Sequence, residues 1–177
     1  MSHPATIVHH GVNFGLDHLS PSRHSFEWNS KAGKKIKLHA AVLYSAHCYT
    51  DESLPFLEGC YSIIEHGKTR VFCEERYTLS KNLKGIMDEL FQKPATSAAL
   101  TVERNWTIYR LSLDGWDPKG RRYHVFFRLK RPQKVVGEDN SYMFDMSVES
   151  AYPRDTRVLT SRNAPFGRIA EELVQKE

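Results

Sequence analysis

Cysteine is scarce: among 177 residues only Cys48, Cys60 and Cys73 occur, an odd number without a C-x-x-C pair. That argues against a disulfide scaffold and suits a reducing compartment, so a cytoplasmic protein is expected. No apolar run approaches the length of a bilayer crossing, and Met1-Ser2-His3-Pro4 begins no basic-then-apolar leader, so neither a membrane partner nor a secretory signal is expected. A Gly-rich phosphate loop and a paired-cysteine zinc motif are also missing, which sets aside the familiar nucleotide hydrolases and zinc fingers. His3, His9, His10, His18 and His24 crowd the first part of the chain. None of them stands at a recognised zinc spacing with carboxylate or cysteine company, so no metal and no cofactor is expected.

Hydrophobic content of 40% and charged content of 26% are ordinary for one globular domain with a real core. Charge is less evenly spread than the net value of +4 suggests. Lys119, Arg121, Arg122, Arg128, Lys130, Arg131 and Lys134 follow one another without an acid between them, a patch that attracts polyanions.

The stretch from Arg121 to Pro153 organises the reading. Tyr123, Val125, Phe127 and Leu129 alternate with Arg122, His124, Phe126, Arg128 and Lys130, the period of two of a half-buried strand. A polar connection follows, and then a second alternating run puts Tyr142, Phe144, Met146, Val148 and Tyr152 on one face and Asp145, Ser147 and Glu149 on the other. The pair predicts an antiparallel hairpin. Elsewhere Ile36, Leu38, Ala40, Val42 and Tyr44 predict a long strand, and the runs around Glu65-His66-Gly67-Lys68 predict a second hairpin. Leu83, Ile86, Met87, Leu90 and Phe91 mark an amphipathic helix over 79–91 with Ser80 as N-cap. A short terminal helix is expected from Asn163 through Pro165 to Gln175. The expected fold is α+β: a largely antiparallel sheet of about five or six strands, one main helix and a short C-terminal helix. Residues 1–34 are expected as an irregular arm or short edge strand, and 35–177 as the single α+β domain.

The basic face of the first strand, with Phe126 among Arg122, His124, Arg128 and Lys130, offers cations for phosphates and a ring for a base. Arg76, near a helix start, is a further candidate phosphate contact. Metal-free RNA cleavage needs a base, an acid and a cation. Glu149 as base, His124 or His47 as acid and Arg128 as clamp supply those types. The bland alternative is that the bases pair with Asp145 and Glu149 across the strands on a solvated surface.

Ser45-Ala46-His47-Cys48-Tyr49-Thr50, Arg76 with Leu79-Ser80, Val125-Phe126-Phe127-Arg128-Leu129 and Val148-Glu149-Ser150-Ala151-Tyr152-Pro153 together resemble a family of small, mobile-element-associated bacterial proteins, some labelled "stationary phase growth adaptation protein". The last of these runs also looks like the closing strand of barnase/RelE-like ribonuclease toxins, which implies an RNase fold with helices before a four-stranded sheet. The resulting expectation is an RNA-directed protein of a bacterial mobile element, of metal-independent toxin ribonuclease type. RNA is expected ahead of DNA, with a host protein or antitoxin as a further partner. The rival is a phage- or plasmid-encoded inhibitor or adaptor that uses the same basic face without catalysis, and a third reading is a structural partner with no exposed site.

Overall fold

The computed structural model describes residues 3–110, 122–131, 141–155 and 158–175. The chain opens with a hairpin of β1 (Thr6–His9) and β2 (Val12–Gly15), followed by β3 (Ser22–Asn29) and β4 (Lys35–Tyr44). A 3-10 turn at Ala46–Cys48 leads to β5 (Thr50–Asp51), β6 (Ser62–Glu65) and β7 (Lys68–Phe72), which form a small sheet in the order β5-β7-β6. Helices α1 (Glu74–Ser80) and α2 (Leu83–Gln92) come next, then β8 (Ser97–Thr101), β9 (Trp106–Arg110), β10 (Arg122–Lys130), β11 (Ser141–Arg154), β12 (Thr160–Pro165) and α3 (Phe166–Gln175).

The main sheet runs β12-β8-β9-β10-β11-β4-β3. Its described pairs are antiparallel except β4 with β11, which run parallel from Lys37 beside Ser141 to Tyr44 beside Val148. The mixed α+β class and the mostly antiparallel sheet agree with the sequence, but seven strands stand where five or six were expected. Both additions lie where the pattern is polar. In β3 only Phe26 is buried, so no apolar alternation marks a strand; its register is set by β4, with Phe26 opposite Leu38. Of the irregular arm or short edge strand expected within residues 1–34, β3 forms an edge strand, eight residues long. In β12 the segment expected to begin the last helix pairs with β8 instead, Asn163 opposite Ala99 and Pro165 opposite Ser97. Pro165 is tolerated because β12 is an edge strand and sits at its end.

The main helix also differs. Ser80 does not cap a helix start; it ends α1, where its hydroxyl donates to Tyr77 O at 2.7 Å and meets His18 Nε2 at 2.7 Å. Asn82 Nδ2 turns back to Leu79 O at 3.1 Å. Such local side-chain bonds compete with the helical ladder, and α2 starts afresh at Leu83.

One face of the sheet carries the core. Buried Tyr123, Val125 and Phe127 of β10, Phe144, Met146 and Val148 of β11 and Leu38, Ala40 and Val42 of β4 meet Leu83, Ile86, Met87, Leu90 and Phe91 of α2. Phe166 is the hub, with its ring 5.3 Å from Phe91, 5.6 Å from Phe26, 6.1 Å from Phe127 and 6.3 Å from Phe144. Burying a side chain of that size stabilises by about 1.5–3 kcal/mol. The start of α3 is tied by Phe166 N–H to Thr96 O and Gly167 N–H to Pro94 O, which satisfies amides that a helix cannot pair itself. With α2 and α3 on this side, the opposite face of β9, β10 and β11 is left for other uses.

Candidate nucleic-acid interface

On β10 and β11 the register shifts once: Phe126 lies opposite Ser150 but Phe127 lies opposite Val148. Glu149 is therefore the extra residue of a β-bulge, a device that re-aims side chains. Its consequence is a phase change along β11. Val148 and Ala151 are both buried, so the core face passes from even to odd positions and Tyr152 moves to the opposite face. The sequence alternation had placed Tyr152 with Phe144 and Met146; the bulge is the reason it is not there.

On that outer face the Phe126 ring stacks with two others. His124 and Phe126 lie 5.8 Å apart at 20°, and Phe126 and Tyr152 lie 5.4 Å apart at 28°. The Arg76 guanidinium lies over the Tyr152 ring at 4.8 Å and that of Arg154 at 5.8 Å, distances at which a cation is drawn to a ring face. Beside the stack opens a cleft of about 390 Å³, lined in part by Asn105, Phe126, Ser150, Tyr152, Arg154 and Leu159. This volume is within the range of small-ligand sites. The expected open basic strand is thus partly closed. His124 and Phe126 are 4% and 6% exposed, and Phe126 stacks with both of the other rings while it lines the cleft.

Burial, reinforced by Arg154 and Arg122, pushes the His124 imidazole down to about 4. The ring is neutral near pH 7 and has no imidazolium proton to give, which removes it as the general acid. Its Nδ1 lies 3.4 Å from Thr107 Oγ1. Arg128 is exposed and donates from Nε to Asn105 Oδ1 at 2.5 Å. Arg122 and Lys130 are exposed at opposite ends of β10, with Lys130 in register with Asp145.

Where β4 stops, the 3-10 turn and α1 take over the flank of β11. Ser45 Oγ donates to Glu149 O at 2.5 Å and accepts from His47 N–H at 3.1 Å, so Glu149 and His47 come to a common hinge. The His47 ring turns to Glu65, Nε2 to Oε2 at 2.5 Å. Arg76 binds inward: it donates to His47 O at 3.3 Å and Thr50 O at 2.8 Å and pairs with Asp51 at 2.6 Å. Arg70, itself 6% exposed, donates to Thr50 O and Thr50 Oγ1, each at 3.1 Å. Arg76 thus fixes the turn and backs Tyr152 rather than reaching outward for phosphate. Cys48 is a core residue; burial raises its thiol to about 12.

The sequence missed Arg154 and Asn105 as lining residues. Arg154 could have been found as a cation two residues beyond Tyr152, but the cleft depends on the bulge and on Leu159, which no local pattern foretells. Also unforeseen is a relay of Ser22 Oγ to His24 Nε2 at 2.9 Å and His24 Nδ1 to Asp88 at 3.5 Å, the order of groups seen in acyl transfer. Here the His24 ring lies flat on Phe91 at 4.4 Å and Asp88 is 47% exposed, so the chain of contacts ties β3 to α2.

Among the curated proteins and among the solved structures, no match is found. The profile of the YjaZ family matches residues 6–174, and the chain belongs to that family.

Proposed function

For this YjaZ-family chain we propose an RNA-directed role, in which single-stranded RNA lies across the outer face of β9 to β11 and one nucleotide enters the cleft beside Tyr152. The observation that carries the reading is the coincidence of that cleft with Arg154 at its rim and with exposed Arg122, Arg128 and Lys130 on the same strand face. Cations attract the phosphates and release counterions. Phe126, the Tyr152 ring and Leu159 cover a base, while Ser150, Asn105 and Glu103 offer donors and acceptors to its edge. Phosphate contact falls to Arg154, Arg122, Arg128 and Lys130; Arg76 positions Tyr152.

Cleavage is a second reading, favoured by one observation: the bulge residue Glu149 immediately precedes Ser150, which lines the cleft. Glu149 would take the 2'-hydroxyl proton, and His47, held by Glu65, is the imidazole left for the leaving oxygen.

A labelled single-stranded RNA tests both. Binding is expected to weaken steeply with salt and to fall about tenfold in Tyr152→Ala and in Arg154→Ala, with DNA of the same sequence bound less well. Absence of RNA binding at low salt, or binding by both variants as tight as by the wild type, would overturn the proposal. Strand scission without added metal that disappears in Glu149→Gln would make the protein a ribonuclease. Binding without scission would leave it an RNA-binding adaptor.

A further inference from the structure

We propose that His9, His10 and Cys60 form a binding site for one zinc ion, at the seam between the β1–β2 hairpin and the turn that precedes β6. One ligand atom from each of the three lies within 4.8 Å of the other two. Cys60 Sγ and His10 Nε2 are 3.3 Å apart, close to the roughly 3.5 Å edge of a tetrahedron with zinc–sulfur and zinc–nitrogen bonds of ordinary length.

Two unusual turns create the meeting. His10 has a φ of 49° and Gly11 a φ of 76°, and across from them Gly59 has a φ of 81°. The turns are locked together by His10 N–H to Gly59 O at 2.7 Å. A Cβ on Gly59 would approach His10 Nδ1 to 3.1 Å, so glycine is what lets the imidazole come close. His9 is 8% exposed and wedged against Phe72 at 4.9 Å and His10 at 4.4 Å. Its Nδ1 accepts the backbone N–H of Tyr61, the residue after Cys60, at 3.2 Å. An unprotonated nitrogen thus faces the chain at Cys60, and the metal takes that lone pair over from the hydrogen bond.

The donor set selects the ion. One thiolate and two imidazoles suit zinc and exclude magnesium and calcium, which take oxygen. On binding, the Cys60 thiol proton passes to solvent, and three protein ligands leave the fourth position to water. The site clamps the hairpin to the loop before β6, two segments that are about fifty residues apart in sequence.

Titration of the reduced full-length chain with Co²⁺, a spectroscopic stand-in for zinc, tests this. The expected result is one equivalent bound, with a thiolate-to-cobalt charge-transfer band and intense tetrahedral visible bands, both erased by added Zn²⁺. Cys60→Ser removes the charge-transfer band. His10→Asn, chosen because asparagine tolerates the same backbone conformation, removes a ligand and weakens binding by more than the roughly 10–100-fold that loss of a ligand's supporting partner costs. Cys73→Ala changes neither. Zn²⁺ raises the melting temperature of the wild type and not of Cys60→Ser. A wild-type spectrum without the charge-transfer band, or a band that persists in Cys60→Ser, would overturn the proposal.

Discussion

His124 is the residue whose environment departs furthest from what its neighbours in sequence imply. It lies between charged Arg122 and Arg128, yet it is 4% exposed because Thr107 of β9 and the Phe126 ring cover it. Because its folded-state value is depressed to about 4 from an ordinary 6.5, the unfolded chain binds the proton first as pH falls. The associated stability is complete above about pH 6.5 and is lost progressively as pH drops through about 4, a total on the order of 3 kcal/mol. Urea melts at pH 7, 5.5 and 4.5 should show a falling midpoint, and His124→Phe should flatten the slope; an unchanged slope in that variant would assign the acid sensitivity to other groups. The alternation of β10 made His124 and Phe126 share a face with Arg128, and that much was legible. Their burial was not, since it comes from Thr107 and from a Tyr152 that faces this side only after the bulge at Glu149.

At the scale of elements, α3 shows what limits a reading by period. Its apolar positions Phe166, Ile169 and Leu173 were plain, but its start was misplaced by three residues. Asn163 and Pro165 are good helix-entry residues, and the pairing of β12 with β8 overrides them. Where α3 docks is set by Gly167, since a Cβ there would come within 2.3 Å of the Trp28 ring. Trp28 Nε1 in turn donates to Glu171 at 3.1 Å, and Lys31 N–H donates to the same carboxylate at 2.9 Å. Alanine for glycine in a helix ordinarily gains up to about 1 kcal/mol. Here the collision wins, and Gly167→Ala should cost about 1–3 kcal/mol, read as a lowered denaturation midpoint with altered Trp28 fluorescence. A stabilised variant would show that α3 is not seated on that ring. The hairpin of β6 and β7, by contrast, was legible because a short connection containing Gly67 sits between β-rich runs, and in the structure His66 and Gly67 both turn with positive φ.

For the whole molecule the deciding contact is the parallel ladder of β4 and β11, which no sequence pattern announced because it joins segments about a hundred residues apart. Short-range features, turns and apolar periods, were readable; this pairing is fixed only when both ends of the chain are present. The same separation predicts slow folding, in the millisecond-to-second range of topologies with many non-local pairs. Stopped-flow refolding should show no faster main phase, and a microsecond phase carrying most of the amplitude would contradict it.

A chain leaving the ribosome therefore meets a long delay. Until the segment after Ser141 emerges, β4 has a neighbour on one side alone and offers the backbone groups of its other edge, beside an apolar face of Ile36, Leu38 and Val42, to any nascent copy nearby. Messages cut short before that point should yield protein that precipitates or is degraded rather than a smaller working domain.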